Sequence, residues 1–184
     1  VYFLDVKAKG LLVISLNSLL FLKISQAINT ASRNDCSLAS PFPAISDPGF
    51  RVVRECRRRN LPVVPVPGPN AAVTALAVSG LPTDKFLYLG FLPSKTAGRC
   101  KVLEQWKDFP GSLVIYESKY RVAKALADIE NVFGPARIIC IAREITKMHE
   151  TFYIGKITDF TIPFSEKKAK GEFVLVVGPA GYVL

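Results

Sequence analysis

An α/β layered fold is predicted for this chain of 184 residues on three observations. From Cys36 onward, short β-branched runs alternate with amphipathic or small-residue segments, and Gly/Pro clusters punctuate the junctions. Continuous apolar runs such as Leu113-Val114-Ile115 lack polar alternation, as expected of central strands covered on both faces. The composition is 49% hydrophobic and 21% charged with a mean hydropathy of +0.27, which excludes disordered, collagen-like and low-complexity chains.

The elements follow in order. Ser46-Asp47-Pro48-Gly49 is a turn that opens a helix, with Asp47 as N-cap and Pro48 at the first helical position; the helix runs to about Arg59 and Asn60-Leu61 closes it. Pro62 to Val66 is a short apolar strand ending in Pro67-Gly68-Pro69-Asn70. Ala71 to Ser79, small and apolar, predicts a closely packed helix capped by Gly80. Leu81-Pro82-Thr83-Asp84 reads as an inter-domain linker. Beyond it the pattern predicts strands over 86–91, 112–116, 137–142, 152–154 and 172–177, and a helix over 95–106. Val122, Leu126, Ile129 and Phe133 form the stripe of an amphipathic helix that Gly134-Pro135 stops. The expected division is an atypical segment 1–35, a partial N-terminal domain 36–82 and a C-terminal α/β domain 83–184, the two α/β halves facing a cleft.

Other classes lose support. The four cysteines stand apart with no C-x-x-C spacing and His149 is the single histidine, so neither a zinc site nor a disulfide scaffold is expected. Unpaired cysteines agree with a reducing compartment. The run Leu11 to Ile24, interrupted by polar residues, is shorter than the roughly 20 residues of a membrane span; it reads as a buried helix or a leader rather than a membrane anchor. Twenty-four Lys and Arg against 15 Asp and Glu leave a net charge of +9, which favours a polyanionic partner, nucleic acid foremost.

Candidate chemistry sits after strands. Pro67-Gly68-Pro69-Asn70 feeds a small-residue helix whose first N–H groups can bind polar ligand groups, and Ser46 to Gly49 offers a second such turn. Each, taken alone, is also ordinary turn chemistry. Neither a GxGxxG nor a Walker loop is present. Ala142 to Glu150 is the densest polar cluster: Lys147 or His149 can assist deprotonation of a hydroxyl and Arg143 can hold a phosphate. Glu117, in Tyr116 to Arg121, either binds hydroxyls or caps a helix. Arg51, Arg54 and Arg58 line one helix face suited to phosphates, or form a solvated basic face; Lys167, Lys168 and Lys170 form a weaker patch. Tyr88, Phe91, Tyr116 and Tyr120 offer stacking surfaces or belong to the core.

Together these segments resemble the tetrapyrrole methylase superfamily, and most closely its ribosomal RNA small subunit methyltransferase I branch. The resemblance runs from about Pro43 to Gly178. It rests on Ala44-Ile-Ser-Asp-Pro-Gly49, Val64-Pro-Val-Pro-Gly-Pro-Asn-Ala71, Ser79-Gly-Leu-Pro-Thr-Asp-Lys-Phe86, Gly90-Phe-Leu-Pro93, Tyr116-Glu-Ser118 with Arg121, Ala142-Arg-Glu-Ile-Thr-Lys147 with His149-Glu150, and Lys170-Gly-Glu-Phe-Val174. It implies a two-domain methylase fold, here with its N-terminal domain incomplete. It further implies S-adenosylmethionine-dependent 2'-O-methylation of a cytidine ribose in 16S rRNA of the small ribosomal subunit, by a cytoplasmic enzyme that forms a homodimer. Carried over, Pro43, Asp47, Pro48, Gly49, Pro67, Gly68, Asn70 and Ala71 would contact the methyl donor. Glu117, Lys147, His149 and Glu150 are the candidates for base or alignment, with Arg51, Arg54, Arg58, Arg121 and Arg143 on RNA.

The chain departs from the family pattern at Leu38-Ala39-Ser40-Pro41-Phe42-Pro43, where the family reads Ser-Asp-Ala-Gly-Thr-Pro. Pro41 removes a backbone donor and Phe42 adds bulk, which predicts weakened donor binding. Two alternatives therefore stand beside the rRNA reading: a non-catalytic RNA-binding or dimerising remnant, and a methylase of a tetrapyrrole or protein substrate.

Overall fold

The computed structural model describes residues 12–14, 49–61, 63–65, 67–166 and 170–184. The expectations for Leu38 to Pro43, Asp47, Pro48, Lys167 and Lys168 lie outside the described residues. The chain forms two compact units, Val1–Asn70 and Ala71–Leu184.

In the first unit, β1 (Leu12–Ile14) pairs in parallel with β2 (Val63–Pro65), Leu12 opposite Val63 and Ile14 opposite Pro65. Of the run Leu11 to Ile24, expected as a buried helix or a leader, the described residues Leu12-Val13-Ile14 are strand rather than helix, as suits β-branched residues that find a parallel partner. Helix α1 (Gly49–Arg58) buries Cys56 and leaves Arg51, Arg54 and Arg58 exposed, as the expected stripe requires. It ends as its sequence predicts, with Asn60 in the left-handed region at φ 54° and the Leu61 N–H donating to the Cys56 carbonyl at 2.8 Å.

The second unit is a mixed sheet between two apolar layers. Its elements are α2 (Ala71–Val78), β3 (Phe86–Phe91), α3 (Thr96–Gln105), β4 (Ser112–Ser118), α4 (Val122–Phe133), β5 (Ile138–Arg143), β6 (Thr151–Lys156), α5 (Thr158–Glu166) and β7 (Glu172–Val177). The strand order is β3-β4-β7-β5-β6. Only β3 and β4 are parallel, joined by the α3 crossover; the last strand inserts antiparallel between β4 and β5. This insertion lets β4 and β5 bury both faces, because neither lies at an edge.

The alternation of side chains sorts the core. Leu113, Ile115, Ile139, Ile141, Leu175 and Val177 pack under α3, α4 and α5, joined by Val122, Leu126 and Ile129 of the amphipathic stripe. Val114, Cys140, Ala142, Val174 and Val176 face the other way and are covered by Ala72, Ala75 and Leu76 of α2. Small residues on α2 allow close approach to the sheet, and burial there pushes the Cys140 thiol up to about 11. Gly80 takes φ 70° at the helix end, and Leu81, expected in a linker, is buried in this layer at 4% exposure. The compact-unit boundary accordingly falls before α2 rather than after it.

Helix α5 goes beyond the elements that the sequence pattern predicts, with Pro163 inside it. Proline lacks the N–H that would donate four residues back and ordinarily breaks a helix. Here Asp159 stands in the first turn and Phe160 and Phe164 reach the aromatic edge of the core, at 6.1 and 5.5 Å from the Tyr153 ring. Among the described residues no helix is long and apolar enough to cross a membrane.

Leu175 is fully buried at the middle of the central strand. Leu175→Ala is expected to lower unfolding free energy by about 2–5 kcal/mol in urea melts, and Val183→Ala, at an exposed position, by less than about 0.5 kcal/mol.

Candidate functional site

Antiparallel insertion of β7 brings distant motifs to one end of the sheet. Strands β3, β4 and β5 finish there, and β6 and β7 begin there. In register, Phe91 lies opposite Tyr116, Glu117 opposite Phe173, Ser118 opposite Glu172, and Arg143 opposite both Phe173 and Thr151. Gly90 to Pro93, Tyr116 to Arg121, Ala142 to Glu150 and Lys170 to Val174 therefore converge.

Under the helix-covered face, two arginines hold the loop that follows β3. Arg99, 1% exposed, pairs with Asp128 at 2.6 Å and donates to the carbonyls of Ser94 at 2.7 Å and Pro93 at 3.4 Å and to Thr96 Oγ1 at 3.0 Å. Arg121 donates to the carbonyls of Leu92 and Pro93 and forms a 3.0 Å ion pair with Glu117, whose angle falls outside hydrogen-bond geometry. The other Glu117 oxygen accepts the Ser118 N–H at 2.8 Å. Burial pushes the Glu117 carboxyl up, against the Ser118 N–H and the two guanidinium groups, which favour its anion. Glu117 and Arg121, candidates for base and phosphate contact, are thus placed in a buried clamp. Arg99 and Asp128 escape sequence reasoning: Arg99 sits in a polar stretch, Lys95 to Lys101, with no periodicity to mark it as buried.

At the rim, the β5–β6 loop is locked against the start of β7. Glu144 and Thr146 adopt φ of 50° and 61°. The Glu144 N–H donates to the Glu172 carbonyl at 3.0 Å, and the Glu172 N–H returns to Glu144 Oε1 at 2.7 Å. Lys147 Nζ bridges Glu144 at 3.2 Å and Glu172 at 2.8 Å. The Thr146 N–H donates to Glu150 Oε2 at 2.6 Å, and Arg143 Nε to the Lys170 carbonyl at 2.6 Å. Gly171 makes the close approach possible: it takes φ 98°, and a Cβ there would lie 2.5 Å from Glu144 Cγ. The Glu172 N–H, then Lys147, hold the Glu144 carboxyl below its ordinary value, and the Glu172 and Glu144 carboxylates raise the Lys147 ammonium. Lys147 is therefore a fixed cation. His149 is exposed, and among the described residues its imidazole has no hydrogen-bond or ion-pair partner; its carbonyl accepts from Thr151 Oγ1 at 3.2 Å.

On the other face, the Ala72 N–H at the start of α2 donates to the Tyr116 hydroxyl at 3.2 Å. Burial, with Tyr88 beside it, raises the Tyr116 phenol. Ala71 packs into this layer. In the first unit, Pro67, Gly68 and Pro69 are exposed and Asn70 is half-buried; Arg54 stacks on Phe50 at 5.7 Å. A cavity of about 430 Å³ opens at the opposite end of the sheet, between Phe133, Arg137 and Tyr182. Its arginine is occupied there, donating to the Gly178 and Lys107 carbonyls and lying on the Phe133 ring.

An α/β unit whose polar loops gather at one sheet end, in a chain where a Pro/Gly loop and a small-residue helix start precede it, is of the class of α/β folds that carry their functional groups on the loops after the strands. The profile of the tetrapyrrole (corrin/porphyrin) methylases matches residues 42–161, and the chain belongs to that family. It is 41% identical over 161 residues to the ribosomal RNA small subunit methyltransferase I of Escherichia coli O157:H7, covering 86% of this chain and 54% of that protein. The protein of the same name from Pasteurella multocida is 44% identical over 137 residues, covering 73% of this chain and 49% of that one. The chain thus spans about half the length of the curated relatives it matches. Among solved structures, the methyltransferase CobJ superposes with a TM-score of 0.58 at 19% identity, covering 77% of this chain and 63% of that one. A Thermus thermophilus uroporphyrin-III C-methyltransferase complexed with S-adenosylhomocysteine gives 0.54 at 16% identity, covering 88% and 71%. These structures share the fold.

The rim lock carries a pH signature. Glu144 is depressed in the folded chain, so the stability it contributes is present above its unfolded pKa and is lost as pH falls through the lower folded value. The Glu172 amide proton, bonded to that carboxylate, is expected to shift in an NMR titration with a midpoint below the free carboxylate's, near 4.3. A midpoint at or above it would show that the lock does not form in solution.

Proposed function

We propose that this chain carries out S-adenosylmethionine-dependent 2'-O-methylation of a cytidine ribose in 16S rRNA, acting on the small ribosomal subunit, in the cytoplasm and as a homodimer. The observation that carries the reading is the 41% identity to a ribosomal RNA small subunit methyltransferase over 86% of this chain. A match that long must include the loops from Gly90 to Glu150. The exposed cations Lys119, Lys147 and Lys170 at the sheet end, and the arginine face of α1, support an RNA substrate over a tetrapyrrole or a protein.

The openness and small side chains of the described loop support a methyl donor there. Pro67, Gly68 and Pro69 are exposed, α2 starts with two alanines, and no charged residue stands between Arg59 and Asp84 to repel a sulfonium. Pro67, Gly68, Asn70 and Ala71, with Pro43, Asp47, Pro48 and Gly49, would hold it. When bound, S-adenosylmethionine supplies an electrophilic methyl group. The ribose 2'-hydroxyl must lose its proton as its oxygen is methylated, and among the described residues His149 is the one of the four candidates whose side chain is not engaged by another group. Glu117 is ion-paired to Arg121, Glu150 caps the Thr146 N–H and Lys147 is held as a cation between two carboxylates. In this reading His149 accepts the proton, Lys147 and Arg143 face phosphate, and Glu117 with Arg121 position the loop.

Incubation with tritiated donor and small subunits lacking the modification is expected to label one cytidine ribose. His149→Gln is expected to lower the rate by about 10²–10⁴-fold; a change under about twofold would remove His149 from the role, and label only in protein or tetrapyrrole would remove the RNA reading. A second reading, an RNA-binding or dimerising remnant, is favoured by Pro41 and Phe42. It predicts salt-dependent 16S rRNA binding with no heat on titration of S-adenosylmethionine into the folded chain.

A further inference from the structure

A β-bulge in β3 breaks the ordinary alternation of side chains. The register with β4 steps from Tyr88 opposite Val114 to Gly90 opposite Ile115, so Leu89 is the extra residue. Residues three apart on a regular strand point to opposite faces. Here the bulge, with Gly90 at φ 64°, brings Tyr88 and Phe91 onto the face of Tyr116. The rings meet edge to face, Tyr88 to Tyr116 at 5.1 Å and 75°, Phe91 to Tyr116 at 5.7 Å and 67°. The two tyrosines are half-buried, whereas Phe91 is 56% exposed at the sheet end.

The backbone around this ring is held on its far side too. Leu92 is buried at 2%, and the Leu92, Pro93 and Ser94 carbonyls are held by Arg121 and Arg99. An apolar ring is thus kept at the surface by a bulge before it and a two-arginine clamp after it. One side of the ring rests on Tyr116, and more than half of the residue remains open to a ligand. The neighbouring loops carry the exposed cations Lys95 and Lys119 with Lys147 and Lys170, charges suited to the phosphates flanking a base. Lys147 also offsets the nearby Glu144 and Glu172.

We propose that Phe91 is a stacking platform for an unpaired nucleobase of the RNA substrate, fixing the target nucleotide by its base while its ribose is presented to the β5–β6 loop. The inference rests on the RNA-methylation reading above. Unpaired bases are recognised by stacking on aromatic side chains, with a contribution that tolerates sequence.

The test uses a short single-stranded RNA carrying one pyrrolo-cytidine, whose fluorescence falls when the base stacks. The wild-type chain is expected to quench it saturably. Phe91→Ala should lose the quench and bind about tenfold more weakly, Phe91→Leu should behave likewise, and Phe91→Trp should keep the quench; thermal melts check that each variant folds. If Phe91→Ala folds poorly, the Leu and Trp pair decides. Binding with equal quench in wild type, Phe91→Ala and Phe91→Leu would overturn the platform and leave RNA recognition standing. Absence of RNA binding by the wild type at low salt would overturn both.

Discussion

The second unit depends on a guanidinium placed where charge is costly. Arg99 is 1% exposed inside the helix layer, and a buried ion is tolerated only when its partners replace the water it has lost. Asp128 of α4 supplies the countercharge, and the Pro93 and Ser94 carbonyls and the Thr96 hydroxyl take further N–H groups. One side chain thereby ties the loop after β3, the start of α3 and the middle of α4 together. Arg121 repeats the device one residue upstream, with Glu117 as its counterion. Losing Asp128 would leave the buried Arg99 charge stranded, so the exit of β3 is fixed by electrostatics together with the burial of Leu92.

From that constraint the sheet end takes its form. With the exit of β3 pinned, the bulge can turn Phe91 outward without unravelling the strand. On the other side of β7, the Glu144 and Glu172 exchange of hydrogen bonds, bridged by Lys147, pins the exit of β5. Two rigid corners flank the end of a central strand whose apolar residues are nearly all inaccessible. In the proposed reading, preorganisation of this kind would align a hydroxyl for in-line methyl transfer, where misplacement is costly to rate.

Much of this was legible in the residues. The strands at 86–91 and 172–177 and the helix ending at Phe133 follow from apolar runs, the 3.6-residue stripe and Gly/Pro stops, and the structure keeps them at those bounds. The motifs of the sheet end were legible as clusters after strands. What could not be read was their partition: Glu117 and Arg143 look alike in sequence, yet one lies in a buried clamp and the other at the rim. Glu117 turns to Arg121 and the Ser118 N–H beneath the helices, whereas Arg143 reaches the Lys170 carbonyl across the sheet end, and neither pairing has a periodic signature. Helix α5 was hidden by Pro163, and the strand character of Leu12 to Ile14 by an apolar run that fits helix equally well.

We propose that the end of the sheet where β3, β4 and β5 finish is the face that meets RNA. Ultraviolet cross-linking of the chain to small-subunit rRNA, with the linked peptides mapped by mass spectrometry, addresses it directly. Cross-links are expected in the peptides holding Phe91 and His149. Cross-links confined to Pro179–Val183 and the rest of the opposite end would contradict it.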